Sequence, residues 1–184
     1  MSGNNRDDGL LSLSETFKGT TIYCVHCRDD LSNSNPLRCS QCKAVHYCSK
    51  SCQKAHYSAL HKSDCKKIYR LRNHLNQSVE TQDNDDERNE FQYNLAYALV
   101  QLGYKSTDTI DRGKYIYERA LLKYIEIMRR DPFFNGACES AVLLLAFLGY
   151  DGLCQSLIKF MLDPPTFSTS PDPEERICGR SKQR

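Results

Sequence analysis

A block of cysteines near the amino-terminal end constrains this fold more than any other feature of the sequence. The 184-residue chain has ten cysteines, and seven of them lie in residues 24–65. The leading residues lack the basic-then-apolar pattern of a secretory signal, so we expect an intracellular protein of the cytoplasm or nucleus. Because a reducing interior disfavours structural disulfides, a dense cysteine block there indicates metal binding or redox chemistry.

Seven cysteines and one histidine of this block form four closely spaced pairs. The pairs are Cys24 with Cys27, Cys39 with Cys42, Cys48 with Cys52, and His61 with Cys65. A gap of two or three residues lets both side chains of a pair reach one ion, and thiolate with imidazole is a typical zinc ligand set. Eight ligands fill two tetrahedral sites and leave no open position, so we predict two structural Zn²⁺ ions and no catalytic residues.

Spacing alone leaves two points open. The four pairs can be shared out sequentially, with the first four cysteines on one metal, or they can interleave. His56 also competes with His61, because it lies four residues after Cys52. We favour His61 as the ligand, since Cys65 then keeps a paired neighbour, and we expect His56 to be a solvated or packing residue.

The short length of this segment makes the metal essential to its folding. Units of about 40 residues rarely fold on apolar burial alone. Structural zinc contributes on the order of 10–16 kcal/mol at neutral pH, which exceeds what so small a core can supply. We therefore expect metal binding and folding of this segment to be one event.

The sequence of residues 45–54, Val-His-Tyr-Cys-Ser-Lys-Ser-Cys-Gln-Lys, followed by His61-Lys62-x-x-Cys65, resembles a MYND-type zinc finger. The resemblance covers about a quarter of the chain. In the family a tryptophan often precedes the ligand histidine; Tyr57 stands near that place here, in a chain without tryptophan. The resemblance implies an interleaved grouping: Cys24, Cys27, Cys48 and Cys52 on one zinc, and Cys39, Cys42, His61 and Cys65 on the other.

The resemblance also implies a function in protein–protein contact. MYND-like fingers bind short proline-containing segments of other proteins, which would make this chain an adaptor or scaffold. The alternatives are a RING-like ubiquitin ligase and a regulatory fragment of a SET-type lysine methyltransferase. The sequence around Cys48 and Cys52 resembles MYND more than RING, and no stretch resembles the SET motifs, so we expect no catalysis.

Charge argues against nucleic acid as the partner. Residues 24–65 carry six basic and three acidic side chains, and seven thiolates with two zinc ions cancel that excess. A near-neutral finger loses the counterion-release term that drives phosphate binding. We also expect no membrane crossing, because no apolar run approaches the roughly 20 residues that span a bilayer.

Composition and periodicity divide the chain into five parts. We predict a disordered leader at 1–20, the zinc finger at 22–66, a basic helix and acidic linker at 67–90, α-helical hairpins at 91–163 and a disordered tail at 164–184. The fold class is a small metal-stabilised finger, a two-zinc cross-brace with little regular structure and short helices, followed by an all-α helical-hairpin domain.

Apolar residues at helical spacing define four predicted helices in the second half. Gly103 is a predicted stop for the first and Asp111 a predicted N-cap for the second, which Asp131-Pro132 ends. The third ends at residues 149–152, and the fourth ends at residues 163–165. The predicted buried faces are Phe91, Leu95, Ala98 and Leu102; Ile116, Ala120, Tyr124 and Ile127; Ala137, Ala141, Leu144, Leu145 and Leu148; and Leu153, Leu157, Phe160 and Met161.

Two interpretations of this helical region remain open. It loosely resembles a tetratricopeptide-type helix pair, and it is equally consistent with a generic small bundle. Tyr93, Tyr97 and Tyr115 are either a peptide-docking face or the edge of the core. Cys138 and Cys154 fall on apolar helical faces, where free cysteine packs as a small hydrophobe.

Overall fold

Two short strands and one long helix frame the amino-terminal finger. The computed structural model describes residues 17, 19–81, 84–134 and 136–162, without the side chains of 78–81. Strand β1, Leu37–Arg38, pairs antiparallel with β2, His46–Tyr47, so that Leu37 lies opposite Tyr47. Within the described residues, no helix is long and apolar enough to cross a membrane.

The long helix is built from three consecutive segments. Helix α1, Lys50–His56, begins after Ser49, whose hydroxyl accepts a hydrogen bond from the Cys52 amide at 3.3 Å. One π-helical turn, Tyr57–His61, leads directly into α2, Lys62–Thr81. Helix α2 passes without a break through residue 66, the predicted boundary between the finger and the basic helix.

Four further helices follow, joined by short connections. They are α3, Asp85–Ser106; α4, Ile110–Arg130; α5, Ala137–Phe147; and α6, Asp151–Leu162. Helix α3 is capped by the Asn84 side chain and carries three acids in its first turn, where they favour the positive end of the helix dipole. Part of the predicted acidic linker is thus the start of a helix.

The helical core follows the predicted periodicity closely in α4 and α5. Every residue predicted on those two faces is buried, and so are Leu95, Ala98 and Leu102 on α3. Cys138 and Cys154 are buried among them, as expected. Helix α6 packs less deeply, because Leu153, Leu157 and Phe160 are only half-buried and Met161 is exposed. A tetratricopeptide-type repeat is not confirmed.

The three candidate tyrosines have different surroundings. Tyr93 packs edge-on against Tyr124, with ring centroids 5.4 Å apart, and its hydroxyl lies 3.2 Å from the Ser140 hydroxyl. Tyr115 packs edge-on against His46 of the finger at 4.9 Å. These two rings are edges of the core, whereas Tyr97 is exposed.

Two predicted helix ends are wrong. Helix α3 does not stop at Gly103 but continues to Ser106, and Gly103 is instead a buried packing position. Helix α4 is capped by Thr109, whose hydroxyl accepts a hydrogen bond from the Arg112 amide at 3.4 Å. Asp111 lies inside the first turn of α4, where its charge is favourable but it cannot cap.

The end of the predicted disordered leader is packed against the helices. The Thr20 hydroxyl donates to one carboxylate oxygen of buried Glu118 at 2.6 Å, and the Tyr150 hydroxyl donates to the other at 2.6 Å. The Phe17 ring lies 5.6 Å from that of Tyr150. The other residues of the predicted leader before Gly19, and the predicted tail at 164–184, lie outside the described residues.

Gly103 offers a direct test of the packing between α3 and α4. A Cβ atom there would lie 2.6 Å from Cε1 of Tyr117, so the ring would have to shift. We expect Gly103→Ala to destabilise the protein by about 1–3 kcal/mol, despite alanine's higher helix propensity. Urea unfolding followed by circular dichroism measures the change.

Gly152 in α6 is the matched control. Nothing lies within 4 Å of its added Cβ, so we expect Gly152→Ala to leave stability unchanged or raise it, by at most about 1 kcal/mol. Equal stability of the two variants would contradict the close approach of α3 and α4.

Candidate metal centre

Each Cys-x-x-Cys pair lies on a tight turn that a backbone hydrogen bond closes. We call residues 24–28 the first knuckle turn and residues 39–43 the second knuckle turn. In the first turn, the Arg28 amide donates to the Cys24 carbonyl at 2.8 Å. In the second, the Lys43 amide donates to the Cys39 carbonyl at 3.1 Å. The residue after each pair is left-handed, with φ of 71° at Arg28 and 55° at Lys43. These turns place both thiols of a pair on the same side.

The long helix supplies the other ligands. Cys48 directly precedes the Ser49 cap, and Cys52 lies in the first turn of α1. His61 is the last residue of the π-helical turn, and Cys65 lies one turn later in α2. One helix therefore presents ligands near its start and again after the π-helical turn, facing the two knuckle turns.

The structure brings the eight predicted ligands together in two clusters. Cys24, Cys27, Cys48 and Cys52 form cluster 1, and Cys39, Cys42, His61 and Cys65 form cluster 2. Within each cluster the ligand atoms all lie within 4.8 Å of one another. This is the interleaved grouping that the family resemblance implies, and the sequential grouping is not found.

The distances inside the clusters fit tetrahedral zinc. A Zn–S bond of about 2.3 Å gives a sulfur–sulfur tetrahedron edge of about 3.8 Å, and a sulfur–nitrogen edge is a little shorter. The Sγ atoms of Cys39 and Cys65 are 3.7 Å apart, and those of Cys48 and Cys52 are 3.5 Å apart. The Cys42 Sγ lies 3.3 Å from Nε2 of His61. The donor set is therefore both chemically and geometrically suited to zinc.

The negative charge of the thiolates in cluster 2 also favours binding of a cation. A hydrogen bond with the Cys42 thiol lowers the pKa of Cys39 to about 3, whereas the same interaction raises the pKa of Cys42. Without a metal, only some of these crowded thiols can ionise, because each thiolate repels the next. A divalent ion removes that conflict and lets all three become ligands.

His56 supports the ligand histidine without joining the cluster. Its ring stacks on His61, with centroids 5.3 Å apart and planes 13° apart, and the Tyr47 hydroxyl lies 3.0 Å from its Nδ1. Burial lowers the pKa of His56 to about 4, so the ring is neutral at pH 7. The prediction of a packing role agrees with this position, and the solvated alternative is wrong.

The two clusters differ in their access to water. All four residues of cluster 2 are buried, whereas Cys27 and Cys48 of cluster 1 are exposed and Cys52 is half-buried. An incoming chelator or oxidant can reach an exposed thiolate directly. Cluster 1 is therefore the more accessible of the two sites.

Two arginines tie the second knuckle turn to the helical region. Arg72 on α2 donates to the carbonyls of Gln41 at 3.2 Å and Cys42 at 2.9 Å. Arg119 on α4 donates to the Lys43 carbonyl. No spacing in the sequence signals these contacts, and sequence reasoning missed them. They make the finger and the helices one packed unit.

Comparison with known families agrees with the geometry. The family model of the MYND finger matches residues 24–65, which begin at the first ligand and end at the last. No curated protein and no solved structure matches the chain.

The left-handed residue at the second knuckle turn gives a stability prediction. Glycine adopts this conformation freely, whereas a β-branched residue is strained in it. We expect Lys43→Val to destabilise the zinc-loaded protein by about 1–3 kcal/mol and Lys43→Gly to be tolerated. Thermal unfolding with saturating zinc measures both, and equal melting temperatures would contradict the left-handed assignment.

The difference in access predicts two-step loss of zinc. We expect the purified protein to hold two equivalents and to release one of them faster to excess 4-(2-pyridylazo)resorcinol, which reports free zinc by its colour. Cys27→Ser should remove the fast equivalent and leave the slow one, because Cys27 belongs to the exposed cluster. Release of both equivalents in one phase would contradict the asymmetry.

Proposed function

We propose that the MYND finger formed by residues 24–65 uses its two zinc ions to build a docking groove for proline-containing segments of other proteins, so that the chain acts as a non-catalytic adaptor or scaffold. MYND fingers as a class mediate protein interactions. The observation that carries the proposal is a groove beside cluster 2.

The groove runs between the second knuckle turn and the long helix. Its volume is about 440 Å³, and its lining residues are Cys39, Ser40, Gln41, Lys50, Gln53, Lys54 and Tyr57. One wall is the turn that carries two ligands of cluster 2, and the other is the outer side of α1 and the π-helical turn. Zinc therefore sets the distance between the two walls.

The lining suits a short extended segment that contains proline. The half-buried Tyr57 ring packs edge-on against His61 at 6.1 Å, which holds it in place at the groove wall. Rigid aromatic rings of this kind bind the preformed polyproline conformation at little entropic cost. Gln53 and Ser40 offer amide and hydroxyl groups to a peptide backbone. Because proline has no backbone N–H, a proline-containing segment has more carbonyl acceptors than N–H donors.

The non-catalytic part of the proposal is supported by the state of the other reactive groups. Both metal clusters have four protein ligands, so neither reserves a position for substrate or water. Cys138 is buried, and burial followed by the nearby Glu139 charge raises its pKa. A thiol in that state is a poor nucleophile.

A peptide array tests the groove. The zinc-loaded protein is applied to short peptides that each contain two adjacent prolines, alongside copies with alanine in place of proline. We expect binding that requires proline. For the strongest binder, fluorescence anisotropy should show that Tyr57→Ala weakens affinity about tenfold or more, because the ring is the aromatic anchor.

Tyr69→Ala is the control, since Tyr69 is an exposed tyrosine on α2 outside the groove. Both variants should keep two equivalents of zinc. The proposal fails if no peptide binds, if the alanine copies bind as well, or if Tyr57→Ala and Tyr69→Ala weaken binding equally.

A ubiquitination assay addresses catalysis. With ubiquitin, its activating enzyme, a panel of conjugating enzymes and ATP present, we expect no self-modification beyond the level seen without this protein. Zinc-dependent self-modification would replace the adaptor proposal with a ligase.

A further inference from the structure

The long helix carries a regular series of exposed basic side chains. Between residues 50 and 70, every fourth residue is basic except Ser58, which lies in the π-helical turn. We name the five basic residues the basic band: Lys50, Lys54, Lys62, Lys66 and Arg70. All five are exposed.

The helix geometry makes this series a continuous surface feature. Residues four apart are neighbours on a helix, and each step of four residues turns about 40° around the axis, so the series winds slowly around the helix. The wider π-helical turn at Tyr57–His61 offsets part of that drift, because it uses more residues per turn. At about 1.5 Å per residue, the basic band extends over about 30 Å.

The basic band has no acidic partner among the described residues. The one acid in residues 50–77 is Asp64, and it is held by Lys105 of α3 at 3.2 Å, with only 14% of its side chain exposed. None of the described ion pairs involves a residue of the band. Like charges four residues apart destabilise a helix, so the chain carries a cost that it does not offset internally.

The position of the basic band relates it to the proposed peptide groove. Lys50 and Lys54 line that groove and also begin the band. Beyond them, a second, smaller groove of about 380 Å³ follows the same helix and is lined by Lys62 and Lys66 together with Ser58, Ala59, Leu60 and Ser63. A peptide that leaves the first groove in this direction passes Ser58 and then meets Lys62, Lys66 and Arg70.

We infer that the basic band binds an acidic segment adjoining the proline-containing segment of the same partner protein. The inference rests on the proposed peptide groove and names the chemistry of its ligand. Four helical residues advance about 6 Å, and two residues of an extended chain advance about 6.6 Å. Acidic residues at alternate positions of an extended peptide therefore match the spacing of the band.

A protein partner fits this surface better than nucleic acid. The band begins inside a groove with an aromatic ring and an amide, which suits a peptide.

The test uses the full zinc-loaded chain and pairs of labelled peptides. Each pair shares the proline-containing core that binds most strongly, extended by eight residues in which glycine alternates with either glutamate or glutamine. Both the amino-terminal and the carboxy-terminal extension are made. In 50 mM NaCl we expect the glutamate peptide of one orientation to bind about tenfold tighter than its glutamine copy, since several exposed ion pairs add together. The advantage should shrink in 500 mM NaCl.

A triple variant assigns that advantage to the band. Lys62→Gln, Lys66→Gln and Arg70→Gln together should abolish the preference for glutamate and leave the affinity for the glutamine peptide unchanged. The matched control changes Lys67, Arg129 and Lys159 to glutamine. It removes the same charge outside the band and should keep the preference.

The outcomes separate this inference from the proposed function. If the glutamine peptides bind but glutamate gives no advantage, the inference is overturned and the groove stands. If no core binds in the array, the proposed groove fails first. If a twelve-nucleotide single-stranded DNA binds the band more tightly than the glutamate peptide, and the triple variant loses that binding, the partner is nucleic acid and the inference is overturned.

Discussion

The structure depends on two metal clusters that each hold a knuckle turn against the same helix. Each cluster takes two ligands from a turn and two from the stretch that begins at Cys48 and ends at Cys65. Strands β1 and β2 have two residues each and contribute little alone. Because the pairs interleave, neither zinc can be lost without releasing a turn from the helix. The metal replaces the apolar core that so short a segment cannot build.

The same helix connects the finger to the helical region. Helix α2 carries Cys65 at its start and packs against α3 along its length. Arg72 and Arg119 satisfy carbonyls of the second knuckle turn, which would otherwise point towards the helices without donors. The helical region is therefore packed against the finger, and is not merely a separate domain joined by a linker.

Sequence reasoning succeeded where a local rule applies. Ligand spacing identified all eight cluster residues, and helical periodicity identified the buried faces of α4 and α5, because both depend on residues close in the chain. It could not choose the metal grouping from spacing, which required the family resemblance. It failed at Gly103, because glycine serves both as a helix stop and as a site of close approach. Only the position of Tyr117, fourteen residues later, distinguishes the two roles.

The π-helical turn at Tyr57–His61 determines how far α2, which follows it directly, is rotated about the helix axis relative to α1. Such a turn is rare, because its backbone is less favourable than that of an α-helix. Here the last residue of the turn, His61, belongs to cluster 2. If the turn tightened to α-helical geometry by one residue, α2 would rotate by about 100° relative to α1. Ile68 would then turn away from the buried position it now holds, so the π-helical turn keeps the ligands of cluster 2 and the buried side of α2 in register.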